Sequence, residues 1–251
     1  MIRDDILREE CEFPKWFASH AEKPYGILFF NEDDAESHDS NHAVLFPEKI
    51  ANLRDVLADV TEFYLQKGLT PRIYQPYTKG YFKAHAETLK SSGYAIEMYG
   101  NSKFMLLSGE NRINQPTRLQ IQRLTEWDDR VARDIYLPNH EEWSIAVEKN
   151  SIKNENYYLF AGFLGDEIVT LVSFHLSQYN CTRFDYIVTA PSQRGKGYAR
   201  ELLGHVVTFC KKNQFPNCFQ WPMHGTSQRI SAEAGFQVSF EEEAGVAVYT
   251  R

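Results

Sequence analysis

The sequence predicts an α/β fold, an α+β arrangement on a mixed sheet, built from two successive units. Three observations carry that expectation. Apolar residues recur at three- and four-residue spacing over two long segments, 47–68 and 198–212, as amphipathic helices require. Short β-branched and aromatic runs bounded by Gly, Pro, Asn or Asp flank both segments, which is how strands read. A turn containing two glycines joins one of those strands directly to the second helix.

In the first half, segment 47–68 puts Ile50, Leu53, Val56, Leu57, Val60, Phe63 and Tyr64 on one face, with Gly68 as its stop. Residues 70–76 read as a strand, and a helix near 81–92 ends at Gly93. Tyr99-Gly100-Asn101-Ser102 is expected to turn strand 94–98 back into 103–107 as a hairpin. The acidic stretch 31–42 holds His38 and His42, but its spacing implies no metal geometry and it reads as a solvated loop. Segment 108–116, polar with Gly109 and Pro116, reads as a linker, so domains are expected at 1–115 and 116–251.

In the second half, runs 157–163 and 168–176 are joined by Leu164-Gly165-Asp166-Glu167 and read as a tight hairpin. Residues 184–189 form a strand that Pro191 ends, since proline donates no ladder hydrogen bond. Helix 198–212 buries Tyr198, Leu202, Leu203, Val206, Val207, Phe209 and Cys210, while Arg200, Glu201, Lys211 and Lys212 face water. Strand 218–223, short helix 226–234 and a Gly235-Phe236 step into 237–240 follow. A turn at Ala244-Gly245 then closes a terminal hairpin with 246–249. The order repeats that of the first half: 70–76 parallels 215–222, and Gly93-Tyr94 parallels Gly235-Phe236.

Composition bounds the function. The chain has 251 residues, 43% hydrophobic and 14% aromatic, enough for a substantial core. A formal charge of −7, from 27 basic and 34 acidic residues, gives no electrostatic footprint for nucleic acid or an anionic membrane and suits a cationic substrate. No apolar run approaches the ~20 residues of a membrane span, and Met1-Ile2-Arg3-Asp4-Asp5 opens no signal peptide, so a cytoplasmic protein is expected. Cys11, Cys181, Cys210 and Cys218 lack metal-ligand spacing and read as free thiols, with no metal.

Arg194-Gly195-Lys196-Gly197-Tyr198-Ala199 lies at the helix entrance, where unpaired backbone N–H groups and the positive end of the helix dipole favour a phosphate. Its spacing is neither that of a Walker loop nor that of a dinucleotide fingerprint. It resembles the acetyl-CoA pyrophosphate loop, R/Q-x-x-G-x-G/A, of the GCN5-related N-acetyltransferase (GNAT) superfamily, and the flanking strands and helices extend the resemblance over about 116–251. The resemblance implies an acyl-CoA N-acyltransferase fold, complete in the second half. The first half looks like a shortened copy without a CoA loop, because His42-Ala43-Val44-Leu45-Phe46-Pro47-Glu48-Lys49 enters its helix with no glycine.

That family implies acetyl-CoA as cosubstrate and transfer of its acetyl group to a primary amine of a small molecule or peptide, by direct attack in a ternary complex. The alternative is a non-catalytic acyl-CoA sensor or interaction module. Monomer and homodimer are both compatible with it. An amine of pKa ~10 must lose a proton before it attacks, so a base is required. The resemblance points to Asp185, which also fits a structural carboxylate paired with Arg183 or Arg194, and gives the backbone N–H of Val188 to the acetyl carbonyl. Ser231 stands where many members carry an acidic tyrosine. His224 falls where relatives place a CoA-contacting asparagine, and Ser227 matches a subgroup; each also fits a cap. Glu141, Glu142 and Trp143, in the wall segment 128–157, would suit an ammonium substrate by charge and cation–π contact, or form a helix first turn.

Overall fold

The computed structural model describes residues 2–113 and 118–250. The boundary expected at 115/116 and the end of the expected linker lie outside the described residues. The chain divides into two compact units, one of Leu7–Ser102 with Glu241–Arg251, the other of Met1–Ile6 with Lys103–Phe240. Each unit is drawn from two stretches of the chain.

From the N-terminus come α1 (Ile2–Glu12), β1 (Ser19–Lys23), β2 (Gly26–Phe30), β3 (His42–Leu45), α2 (Leu53–Gln66), β4 (Arg72–Tyr74), α3 (Tyr81–Ala84), α4 (Ala86–Ser91) and β5 (Tyr94–Leu107). After them come β6 (Gln120–Leu124), α5 (Asp129–Val131), a π turn (Ala132–Tyr136), α6 (Leu137–Asn139), α7 (Glu142–Ser151), β7 (Tyr157–Leu164), β8 (Glu167–Leu176) and β9 (Thr182–Thr189). The chain ends in α8 (Tyr198–Lys212), β10 (Cys218–Gln220), α9 (Gly225–Ala234) and β11 (Phe236–Tyr249).

In the first unit β1, β2 and β3 are antiparallel, β3 and β4 pair in parallel through Ala43 and Ile73, and the last part of β11 pairs with β4. Leu57, Val60 and Tyr64 of α2 pack on Leu28, Ala43, Ile73 and Ala247. The helix starts later than the sequence suggests. Pro47–Lys49 forms a separate 3-10 turn, and Asn52 caps α2 by accepting from the Arg54 N–H at 3.1 Å. The stretch 31–42 is only partly solvated: Asn41 binds the carbonyls of Asp34 and Ser37 at 2.7 and 2.9 Å, and His42 stacks on Tyr74 at 4.0 Å.

Neither expected terminal hairpin forms. Tyr94–Leu107 and Phe236–Tyr249 are each one 14-residue strand. Gly245 is a close-approach glycine, since a Cβ there would lie 2.7 Å from the Glu97 carbonyl oxygen. Paired along their length, both strands gain ladder hydrogen bonds that two tight turns would forfeit.

The second unit carries the sheet order β11-β5-β10-β9-β8-β7-β6. β7 and β8 form the expected hairpin, Leu164 opposite Glu167, with Gly165 left-handed at φ +59°. Leu202, Leu203, Val206 and Val207 of α8 pack on Phe160, Val172, Phe174 and Phe184. Because side chains alternate along a strand, Ser173, His175 and Arg183 belong to the opposite sheet face. Among the described residues no helix is long and apolar enough to cross a membrane.

Candidate active site

The cradle is built from backbone. After β9 the chain makes a 3-10 turn, Pro191–Gln193, extends at Arg194 and enters the left-handed region at Gly195 (φ +78°) and Gly197 (φ +85°), the N-cap of α8. Only glycine adopts such angles without strain. A Cβ on Gly195 would meet nothing within 4 Å, so the concave side of the turn is open. The first N–H groups of α8, from Tyr198 onward, have no preceding helical carbonyl to bond and lie at the positive end of a 15-residue helix.

Side chains fix this turn. Arg118 donates through its guanidinium to the Lys196 carbonyl at 2.7 Å and to Glu201 in the first turn of α8, and it lies 4.8 Å over the buried ring of Tyr198. Lys196 Nζ binds Gln193 Oε1 at 2.7 Å, and Arg194 binds Asn139 Oδ1. No local pattern points to Arg118, which lies 83 residues from Glu201. The residues present fit a pyrophosphate: free backbone donors, two glycines and the exposed Arg194 and Lys196.

Leading into the cradle, β9 loses one neighbour. Its parallel pairing with β10 covers Thr182 with Cys218 and Arg183 with Phe219, whereas β9 runs on to Thr189 paired with β8. Past Arg183 the strand therefore offers backbone polar groups on its β10 side, as edge strands do, but those of Val188 face β8: Val188 lies opposite Leu171 in the same ladder in which the Ala190 N–H donates to the Val169 carbonyl. The Val188 carbonyl is itself taken, accepting from Thr170 Oγ1 at 2.7 Å. The β8–β9 register shifts between Val172 and Phe174, which sets Asp185 and Tyr186 together opposite Ser173 as a bulge.

Asp185 forms an ion pair with Arg183; the side chains are 32% and 6% exposed. Arg194 is held elsewhere, so of the two partners the sequence offers, Arg183 is the one found. Ser231 is buried, its hydroxyl donating to the Ser227 carbonyl at 2.7 Å. Ser227 Oγ accepts from the His224 N–H at 3.2 Å and donates to the His224 carbonyl at 2.7 Å, so it works as a cap for α9, with the His224 side chain exposed. Glu141 sits half-buried before α7, its pKa raised by burial against the pull of Arg194, while Glu142 and Trp143 face solvent.

Glu148 stands out only in the folded chain. This α7 carboxylate is 5% exposed, and its Oε2 accepts from Tyr136 Oη at 2.6 Å. Burial, the largest cause, raises its pKa to about 7; hydrogen bonds from Tyr136 and Tyr157 lower it and the charge of Asp185 raises it. The cue was a polar stripe at helical spacing, Ser144, Glu148 and Ser151, all buried.

The model of the acetyltransferase (GNAT) family matches residues 121–230, from β6 through the cradle into α9. The chain carries a GNAT domain. Solved structures extend the likeness to the whole fold. A functionally unknown conserved protein from Staphylococcus epidermidis superposes with a TM-score of 0.64 at 10% identity, over 94% of this chain and 95% of that one. A GCN5-related N-acetyltransferase from Kribbella flavida gives 0.62 at 9% identity, over 100% and 95%. A tandem GNAT protein from the clavulanic acid biosynthesis pathway gives 0.57 at 10% identity, over 84% and 76%. These likenesses, which cover both halves of the chain, show its fold. A comparison with curated proteins finds no match.

Proposed function

We propose that the protein is an N-acetyltransferase that moves the acetyl group of acetyl-CoA to a primary amine of a small molecule or peptide by direct attack in a ternary complex. The observation that carries the reading is the pair of left-handed glycines, Gly195 and Gly197, delivering β9 into the N-terminus of α8 within a GNAT domain. Acetyl-CoA supplies an activated thioester carbonyl. Backbone N–H groups from Gly195 to Ala199, with Arg194 and Lys196, would hold its pyrophosphate, and the open β10 side of β9 past Arg183 is where the acetyl oxygen would find a backbone donor.

Asp185 lies on the same strand, half-exposed, and accepts the proton that the acceptor's ammonium group must lose. Ser231 has its hydrogen engaged by Ser227, so the departing sulfur is protonated from solvent rather than by this serine. In this reading Glu141, Glu142 and Trp143 receive the acceptor, since carboxylates attract a cation. A cytoplasmic monomer or homodimer belongs to the same reading.

Calorimetric titration with acetyl-CoA, followed by thiol release against a panel of primary amines, tests it. Binding with amine-dependent release is expected, and Gly197→Glu, which places bulk and negative charge in the cradle, should abolish binding in a folded protein. Binding without release from any amine would favour a sensor; no binding would remove the cofactor assignment.

A further inference from the structure

We propose that Glu148 is the proton store of this site, the carboxylate that finally holds the proton lost by the acceptor amine, reached through Asp185 and Tyr136. The inference rests on the acetyltransferase reading above. Its ground is a buried polar layer between α7 and the β7–β8–β9 face. By register Tyr157 lies opposite His175 and His175 opposite Arg183, so these side chains share one face, and Ser173 joins it opposite the Asp185–Tyr186 bulge. Tyr136, on the π turn, closes the layer from the helical side, its ring 5.9 Å from that of Tyr186.

Within this layer the charges do not balance around Glu148. The Arg183 guanidinium is bonded to Asp185, and among the described residues the hydrogen-bond partners of Glu148 are hydroxyls: Tyr136 at 2.6 Å on Oε2, with Tyr157 alongside, while Oε1 is buried without a hydrogen-bond partner. An ionised carboxylate so placed is strongly unfavourable, and a glutamine or leucine would fill the space better. What the carboxylate adds is a proton site. Its pKa of about 7 matches the operating range of a base, and the nearby charge of Asp185 favours its protonated form.

In the step itself, the ammonium nitrogen gives one proton to Asp185. The Tyr136 hydroxyl passes its hydrogen to Glu148 Oε2 and regains one from the Asp185 side. The freed nitrogen lone pair bonds to the acyl carbon, the carbon–sulfur bond breaks, and the second nitrogen proton reaches the sulfur through solvent.

The test is the pH dependence of amine-dependent thiol release in the full chain, with a lysine-bearing peptide and a panel of small primary amines as acceptors. Wild type should show an ascending limb near pH 7. Glu148→Gln should remove that limb and lower turnover about tenfold to a hundredfold, leaving acetyl-CoA affinity unchanged. Tyr136→Phe, which removes the hydroxyl through which the proton passes, should abolish the limb as Glu148→Gln does, and in the ligand-free protein it should move the Glu148 titration to higher pH, because it deletes a bond that favours the ionised form. A Glu148→Gln profile lowered by one factor at every pH, with the limb in place, or left unchanged, overturns the inference. Infrared difference spectra of ligand-free wild type and Glu148→Gln give a reading independent of turnover. A protonated carboxyl titrating near neutrality is expected, and a Glu148 ionised throughout pH 5–9 overturns the proposal whatever the activity. No amine-dependent release from wild type, with that titration present, overturns the acetyltransferase reading and this role with it.

Discussion

Arg118 grips Glu201 from both side chain and main chain: Nε donates to Oε1 at 2.6 Å and the backbone N–H donates to Oε2 at 2.8 Å. The same guanidinium reaches the Lys196 carbonyl, so one residue before β6 pins both the glycine turn and the first turn of α8. Arg118 is exposed, and an exposed pair adds only about 0.2–1 kcal/mol to stability. Its consequence lies in preorganisation. Arg118→Ala should weaken acetyl-CoA binding about threefold to tenfold by calorimetry, roughly 1 kcal/mol, while the melting temperature stays nearly constant. An unchanged affinity would mean that the turn holds its shape without the clamp.

Gly195 and Gly197 set a separate expectation. Gly195→Ala adds a methyl to open space, so its penalty is the left-handed backbone, about 1 kcal/mol. The same methyl would stand where the ligand backs onto the chain. Affinity for acetyl-CoA should drop at least tenfold, far more than folding stability measured by urea denaturation. Equal losses in both would assign the glycine to folding alone.

Helix α8 and the β7–β8 hairpin were legible because local pattern and tertiary context agree: an apolar stripe meets a core, and Gly165 meets a two-residue turn. The long strands were not. Gly100 and Gly245 carry a turn signal locally, but the pairing of two 14-residue strands overrides it, and no local pattern reports that a Cβ on Gly245 would lie 2.7 Å from the Glu97 carbonyl oxygen. In α7 the usual rule inverts. Trp143 is 46% exposed while Glu148 is buried, because the sheet face beneath, with Ser173, His175 and Arg183, is itself polar. The cradle was readable from its glycines, whereas Arg118 and Glu148 belong to the site only through folding.

Gly245→Ala follows from the strand pair. Its Cβ would stand 2.7 Å from the Glu97 carbonyl oxygen and 2.8 Å from Met98 Sδ, and the backbone oxygen yields little. A loss of about 1–3 kcal/mol is expected in urea denaturation, in the range of overpacking a tight site. Were Ala tolerated without loss, Gly245 would be the turn glycine that its sequence context suggests.

Two buried groups oppose each other in pH. His42 is 3% exposed, and burial lowers its pKa from 6.5 to about 4. Between those values the unfolded chain binds a proton that the folded chain refuses, so this contribution is complete above pH ~6.5 and falls by up to about 3 kcal/mol as pH drops to 4. Glu148 runs the other way. Its pKa rises from 4.5 to about 7, so the folded chain holds a proton that the unfolded chain has released. Its contribution is complete below pH ~4.5 and is lost, again by up to about 3 kcal/mol, as pH rises to 7. His42→Phe keeps a ring on Tyr74 and should flatten the acid side of the stability profile; Glu148→Gln should flatten the neutral side and be the more stable protein at pH 8. The two residues lie in different compact units, so hydrogen exchange read by mass spectrometry separates them. Acidification should loosen β3 and β4 first, and raising the pH should loosen α7. If Glu148→Gln left the pH 8 stability at or below that of wild type, the buried carboxylate would have to be compensated in the folded chain, and its strain would be the wrong account of the site.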